Sequence, residues 1–125
     1  MKVLALDFGA ARTGVAVSDP TGTVARPLGV VERAASAAGL DRLVALIREE
    51  DPERVVVGMP LTLRGERGEQ ARATDAFVDS LRERLDVPVE TFDERFTSVL
   101  AEGDDAKAAA HLLSGYLART GGAAR

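Results

Sequence analysis

Acidic side chains that could bind a metal ion occur at three separated places in this sequence. Asp7 ends a short apolar run, Asp93 and Glu94 follow another, and Asp105 precedes a stretch rich in alanine and leucine. Carboxylate oxygens are hard ligands that suit Mg²⁺ or Mn²⁺. Two such ions held about 4 Å apart can activate water against a phosphodiester. The pattern therefore allows metal-dependent hydrolysis, provided that the fold brings the three places together.

Each acid also has an ordinary structural interpretation. Asp7 could cap the turn that follows it, and the triplet 93–95 could be a solvated loop with a local ion pair. Asp105 could be the N-cap of a helix. However, apolar residues follow Asp105 at four, seven and eleven positions, which is the spacing of one helix face. If Asp7 and Glu94 converge with it, a site is the better interpretation.

The composition excludes several classes of protein. The 125 residues are 46% hydrophobic and 29% charged, which is typical of one globular domain. The absence of cysteine excludes disulfides, zinc thiolates and cysteine catalysis, and suits the cytoplasm. The single histidine, His111, excludes a multi-histidine metal site and is expected to be structural or at the surface. No apolar run approaches the roughly 18 residues of a membrane span.

The net charge of −4 argues against a nucleic-acid partner, unless some of the acids hold metal ions. Two divalent ions would bring the net charge to about zero, because each contributes two positive charges.

The pattern of apolar residues predicts an ordered series of strands and helices. Three strands at about 2–8, 14–19 and 24–31 form an antiparallel meander, and Pro27 places the third at an edge or a bulge. Helical periodicity follows, with Ser36 as a cap and Asp51-Pro52 as the end. A strand at 54–59, a helix with a stripe from Thr74 to Leu85, a strand at 87–92 and a C-terminal helix complete the order.

This order, β-β-β-α-β-α-β-α, predicts a single α/β domain over residues 1–125. We expect a ribonuclease H-like architecture, in which a five-stranded mixed sheet has three antiparallel strands followed by two parallel ones, with helices on both faces. The first, fourth and fifth strands should be neighbours, so that their carboxyl ends meet at one edge.

Several motifs, in the same order, resemble those of one family of small proteins. They are LDFGAARTGVAVSD at 6–19, VVGMPL at 56–61, Gly65 to Gly68 with the helix that follows, FDERFTS at 92–98, and Asp105 ahead of Ala108-Ala109 and LLSGYL at 112–117. Together these resemble the YqgF, or RuvX, family of ribonuclease H-fold proteins. The resemblance implies a metal-dependent nuclease for structured nucleic acid. Such an enzyme would either process the 5′ end of the small-subunit ribosomal RNA precursor or resolve Holliday junctions.

The resemblance also implies roles for individual residues. The metal-binding catalytic acids would be Asp7, Glu94 and Asp105, with Asp93 a less favoured occupant of the second position. The cofactor would be Mg²⁺ or Mn²⁺, as two ions. The residues implied in nucleic-acid binding are Arg12, Thr97 and Arg95. The partner would be structured RNA or a four-way DNA junction, and junction resolution would call for a homodimer.

Two departures from the family pattern bear on function. Thr62 stands where the family usually has asparagine, and Gly103 alone occupies a place where the family usually has a longer basic segment. The short segment and the negative charge favour an alternative, a non-catalytic nucleic-acid-binding or ribosome-assembly module on the same fold. Actin-like ATPases and sugar kinases share the opening motif, but they need two domains that close on a nucleotide.

Overall fold

A computed structural model describes residues 1–59, 68–93 and 105–120 of the chain. The elements, in chain order, are β1 (Val3–Asp7), β2 (Arg12–Ser18), β3 (Ala25–Glu32), α1 (Ala37–Glu50), β4 (Arg54–Met59), α2 (Glu69–Arg84), β5 (Val89–Asp93) and α3 (Asp105–Thr120). The five strands form one sheet in the order β3-β2-β1-β4-β5. Strands β1 to β3 pair antiparallel, and β4 is parallel to both β1 and β5. The predicted mixed sheet is therefore confirmed.

The central strand β1 is apolar on both faces because helices cover it on both sides. Leu4 and Leu6 belong to a cluster that includes apolar side chains of α1 and α2, such as Ile47 and Leu81. Val3 and Ala5 belong to a second cluster, to which α3 contributes Ala109, Leu112, Leu113, Tyr116 and Leu117. Helices on both faces are thus confirmed. None of the helices in the described residues is long and apolar enough to cross a membrane.

Strand β3 lies at the edge of the sheet and is irregular. Its pairing with β2 shifts in register where Val15 lies opposite Gly29 and Ala16 lies opposite Pro27. Proline cannot donate a ladder hydrogen bond, so it favours an edge or a bulge. Pro27 predicted an edge or a bulge, and β3 has both an edge position and a shift in register.

The start of α1 is fixed by close contacts with the turn that precedes it. Ser36 is the N-cap, as predicted, and its hydroxyl accepts a hydrogen bond from the Gly39 amide at 3.1 Å. The same hydroxyl donates to the Arg33 carbonyl oxygen at 2.7 Å. Capping of this kind satisfies an amide that has no partner inside the helix. At the other end Asp51 adopts the left-handed conformation, with φ of 52°, and the helix ends before Pro52.

The turn between β2 and β3 is organised by Asp19. Its carboxylate accepts hydrogen bonds from the amides of Thr23 at 2.9 Å and Val24 at 3.0 Å, and from the Thr21 hydroxyl. These donors, with the Thr21 hydroxyl contributing most, hold the pKa of Asp19 well below its ordinary value of 3.8. Asp19 therefore has a turn-forming role.

We expect the stabilising effect of the Asp19 charge to depend on pH. A lowered pKa in the folded state stabilises the protein above the unfolded-state pKa, and this contribution is lost as the pH falls through the folded-state pKa. In urea unfolding, Asp19→Asn should be less stable than wild type at pH 7, and the difference should shrink below about pH 4. If the difference in stability between Asp19→Asn and wild type were the same at pH 7 as below about pH 4, this account would be contradicted.

Candidate functional site

Asp7 is the last residue of β1, at the carboxyl end of the central strand. Its side chain is half-buried, whereas the preceding residues Val3 to Leu6 are fully buried. Since side chains alternate along a strand, Asp7 shares the sheet face of Val3 and Ala5, on which α3 packs. The carboxylate therefore lies where the apolar core gives way to the edge of the sheet.

Glycines occupy the positions beside Asp7 in both neighbouring strands. Its register partner in β2 is Gly14. In β4 the residue after Val57, which pairs with Leu6, is Gly58. Neither glycine has a side chain that would pack against the carboxylate, and a glycine inside a strand often marks the close approach of a ligand or of another backbone. The sequence contains both glycines, but only the strand register shows that they flank Asp7.

Strand β5 ends at the same edge of the sheet as β1. Gly58 pairs with Phe92, and Met59 pairs with Asp93, the last residue of β5. Because neighbouring strands lie about 4.8 Å apart, the ends of β1 and β5 are separated by about 10 Å across β4. The structure therefore brings the backbone of Asp93 to the edge at which Asp7 lies. Four other residues singled out in the sequence lie outside the described residues: Glu94, Arg95, Thr97 and Thr62.

Helix α3 begins at Asp105, two positions after Gly103, which also lies outside the described residues. The Arg54 Nη1 donates a hydrogen bond at 3.1 Å to the Tyr116 hydroxyl in the last third of α3. Arg54 is the first residue of β4, at the opposite edge from Asp7. This bond brings Tyr116 to the Arg54 side chain. At 1.5 Å per residue, Asp105 is about 16 Å from Tyr116 along the helix axis.

Arg12 begins β2, directly after the turn that follows Asp7. Its side chain is exposed, in keeping with the predicted role in contacting a phosphate. The turn is tight at Gly9, since a Cβ added there would lie 2.5 Å from the Arg12 carbonyl oxygen. The turn also connects to the end of β3, because the Arg33 amide donates to the Ala11 carbonyl at 2.9 Å.

We expect Gly9→Ala to destabilise the protein and to displace Arg12. The added methyl group meets backbone atoms, so the turn must open, at a cost of about 1–3 kcal/mol. The free energy of unfolding, measured in urea, and the rate of nucleic-acid cleavage should both fall. Arg12→Ala is the matched comparison, since it removes the exposed guanidinium and leaves the turn intact. It should lower cleavage without a comparable loss of stability, and a Gly9→Ala protein as stable as wild type would refute the account.

A cluster of aromatic and charged side chains, which no sequence motif predicts, fixes α3 to β4 and β5. Phe92 contacts Tyr116 edge-to-face at 5.6 Å between ring centroids, and the Arg119 guanidinium lies 5.7 Å from the Phe92 centroid. Arg54 pairs with Glu90 at 3.2 Å. The hydrogen bond to Tyr116 is the main cause that raises the pKa of Arg54. These residues are far apart in sequence, and no local motif relates them.

The family of the chain follows from comparison with known proteins. The family model described as "RuvX: Holliday junction resolvase" matches residues 1–111. The chain belongs to the RuvX family. A relative from Chloroflexus aurantiacus is 48% identical over 100 residues, covering 80% of this chain, and one from Moorella thermoacetica is 39% identical over 136 residues, covering 97% of both chains. Both carry the name "Putative pre-16S rRNA nuclease". The alignment covers only 65% of the Chloroflexus protein.

The fold of this RuvX-family chain is also similar to that of solved resolvases. The structure of Thermus thermophilus RuvC in complex with a Holliday junction substrate matches with a TM-score of 0.60 and 20% identity, covering 97% of each chain. The predicted ribonuclease H-like fold and the family resemblance are therefore both confirmed.

A carboxylate oxygen of Asp7 is the kind of ligand that a hard divalent cation prefers. The Asp7 carboxylate is half-buried beside two glycines, and the backbone of Asp93 ends β5 at the same edge of the sheet. Within residues 1–59, 68–93 and 105–120, no group of three or more acidic, histidine or cysteine side chains is placed to hold a metal ion. Of the three predicted metal ligands, Asp7 is the one whose side chain the structure describes.

Proposed function

We propose that the chain is a metal-dependent nuclease that hydrolyses phosphodiester bonds at the edge of the sheet where β1 ends. The observation that carries this proposal is the position of Asp7, a half-buried carboxylate at the carboxyl end of the central strand with glycines on both sides. Ligands of open α/β sheets bind at such strand ends. Membership of the RuvX family supports the same reaction class.

Asp7, Glu94 and Asp105 would hold Mg²⁺ or Mn²⁺, as two ions. When bound, the ions would activate the attacking water and neutralise charge that develops on the phosphate. The protein itself would supply geometry, because Asp7 is fixed by the strand and Asp105 by the first turn of α3. Arg12, exposed beside Asp7, would donate hydrogen bonds to a phosphate oxygen of the substrate and hold it in position. Arg95 and Thr97 would make further contacts with nucleic acid.

The second acidic ligand would be Glu94, with Asp93 the less favoured occupant of this position. The backbone of β5 leads to these residues: it ends at Asp93, and Phe92, whose ring packs against Tyr116 of α3, shares its row with Gly58.

The substrate would be structured nucleic acid, either the 5′ region of the small-subunit ribosomal RNA precursor or a four-way DNA junction. The names of the curated relatives support the first, and the family description supports the second. A single domain over residues 1–125 would suffice for RNA processing, whereas symmetric junction cleavage would need two copies. The absence of cysteine suits work in the cytoplasm.

Cleavage of both labelled substrates by the full chain tests this function. Reactions contain Mg²⁺ or Mn²⁺, with a chelator in parallel samples, and products are resolved on denaturing gels. Cleavage of the RNA alone, abolished by chelator, would establish the ribosomal nuclease. Paired symmetric cuts in the junction, together with a dimer in solution, would establish the resolvase. Binding without cleavage of either substrate would refute the nuclease proposal and favour the non-catalytic module.

A further inference from the structure

Three arginines converge at the end of β3. Arg33 directly follows this strand, and its amide donates to the carbonyl oxygen of Ala11, the residue before Arg12, at 2.9 Å. From α1, the Nη2 of Arg42 donates to the carbonyl oxygen of Glu32, the last residue of β3, at 3.0 Å. The side chains of Arg12, Arg33 and Arg42 are all exposed. We call these three residues the arginine cluster.

The strand register places the arginine cluster beyond the end of β1. Asp7 is paired with Gly14 of β2, and Ala11 lies three residues further out along that chain segment. At about 3.4 Å per residue, the backbone of Arg33 opposite Ala11 is therefore about 10 Å beyond the row of Asp7. Arg12 lies between that row and Arg33. A nucleic-acid strand that leaves the site over β2 and β3 would meet the cluster next.

Positive charge is in excess at the arginine cluster. The acidic residue within the cluster is Glu32, whose backbone pairs with that of Arg12 across the two strands. Asp41, next to Arg42 in α1, is paired with Arg84 at 3.0 Å. Three guanidinium groups thus stand against one carboxylate, although the whole chain has a net charge of −4. A local basic patch of this kind is typical of contact with a polyanion.

The guanidinium of Arg33 takes no part in holding its own turn. The Arg33 carbonyl oxygen accepts hydrogen bonds from the Ser36 amide at 2.9 Å and from the Ser36 hydroxyl at 2.7 Å. Backbone bonds therefore hold Arg33 in the left-handed conformation, with φ of 49°. Arg48 and Arg82 donate to main-chain carbonyl oxygens at 2.8 Å, whereas in the described part of the chain the Arg33 guanidinium makes no ion pair or hydrogen bond. It is available to a ligand.

We propose that the arginine cluster binds backbone phosphates of the nucleic-acid strand whose cleaved bond lies at Asp7. This inference rests on the proposed nuclease function, and it extends the contact expected of Arg12 to Arg33 and Arg42. A guanidinium presents five N–H donors in a fixed fork, which binds two phosphate oxygens at once. Contacts of this kind position a strand without reading its sequence. The cluster therefore helps to set which bond of the bound strand reaches Asp7.

Binding measurements on two exposed arginines test the cluster. Arg33→Gln removes the charge and keeps a long polar side chain. Arg26→Gln is the matched control, because Arg26 is also exposed and makes no ion pair or hydrogen bond in the described part of the chain. It lies in β3 opposite Val17, three residues from Gly14 in the direction away from the cluster. Both changes are made in an Asp7→Asn background, in which cleavage is not expected.

Fluorescence anisotropy with a labelled single-stranded RNA and a labelled four-way DNA junction gives the dissociation constant over a series of KCl concentrations. We expect Arg33→Gln to weaken binding of both probes about tenfold. It should also reduce the slope of log Kd against log salt concentration by about one unit. Arg26→Gln should leave both quantities unchanged, and Arg33→Lys, which keeps the charge, should keep the slope. Thermal unfolding checks that each variant is folded.

Several outcomes would overturn the proposal. They are equal effects of the two glutamine substitutions, no binding of either probe by the parent, and a loss of affinity in Arg33→Gln without a change in the salt slope, which would indicate a purely structural role. The result is separable from that for the nuclease. Binding that depends on Arg33, in a wild-type chain that cleaves neither substrate, would support the cluster and refute only the nuclease.

Discussion

Replacing Asp7 with asparagine is expected to lower the rate of phosphodiester cleavage by about a thousandfold. The substitution keeps the shape of the side chain and removes the negative charge that would hold a divalent cation at the end of β1. Loss of about 4 kcal/mol of transition-state stabilisation corresponds to this factor. The free energy of unfolding without metal should stay within about 1 kcal/mol of wild type, because the replacement is close to isosteric. Single-turnover cleavage and urea unfolding measure the two effects.

Asp41→Asn is the matched control for this substitution. Asp41 is an exposed residue of α1, on the other face of the sheet, and it pairs with Arg84 at 3.0 Å. Exposed pairs of this kind contribute little to stability. The control should cleave at the wild-type rate and keep the shift in thermal unfolding that Mg²⁺ produces, whereas Asp7→Asn should lose that shift. Wild-type activity of Asp7→Asn in Mg²⁺ would contradict the role given to this carboxylate.

Gly39→Ala is expected to destabilise the protein strongly, although it adds a single methyl group. Gly39 lies in the first turn of α1, where alanine would ordinarily favour the helix by about 1 kcal/mol. An added Cβ would lie 2.8 Å from the Glu32 carbonyl oxygen and closer still to that of Arg33. Since backbone atoms cannot move aside as a side chain can, we expect a loss of about 3 kcal/mol or more. The urea concentration at the midpoint of unfolding should therefore fall.

Gly29→Ala is the control that separates the effect of the close backbone contact at Gly39 from the general effect of replacing a glycine. No atom lies within 4 Å of a Cβ added at Gly29 in β3. Because alanine restricts the unfolded chain more than glycine does, this variant should be as stable as wild type, or more stable by up to about 1 kcal/mol. If Gly39→Ala unfolded at the wild-type midpoint, the close approach of α1 to the β3–α1 turn would be disproved.

The sheet could be predicted because its local signals agree with one another. The short apolar run that ends at Asp7 predicted the first strand, and the bounds predicted for the fourth strand match β4 at Arg54–Met59. The predicted fifth strand at 87–92 began two residues early, because β5 is Val89–Asp93. Val87 is apolar and packs against the core from the preceding turn, so its hydrophobicity marks burial without strand pairing.

Less of the site could be predicted, because it depends on contacts between distant segments. The types of the acids and their places at strand and helix ends can be read from the sequence. The glycines beside Asp7 acquire meaning only through register, which pairs residues up to about 50 positions apart. The contact of Arg54 with Tyr116 joins residues 62 positions apart. Such pairs have no periodic signature, so a single sequence gives no local signal for them.

The strand order also determines when the site can form during synthesis. β2 follows β1 after a short turn, so this antiparallel pair can form before the later strands have been made. The other edge of β1 waits for β4, and one of its faces waits for α3. Asp7 is therefore made long before α3, but its surroundings are completed only when that helix docks. Long-range pairing of this kind slows folding, and it leaves apolar surface exposed on the growing chain. Partly synthesised chains would thus carry Asp7 without the helix that covers its face of the sheet.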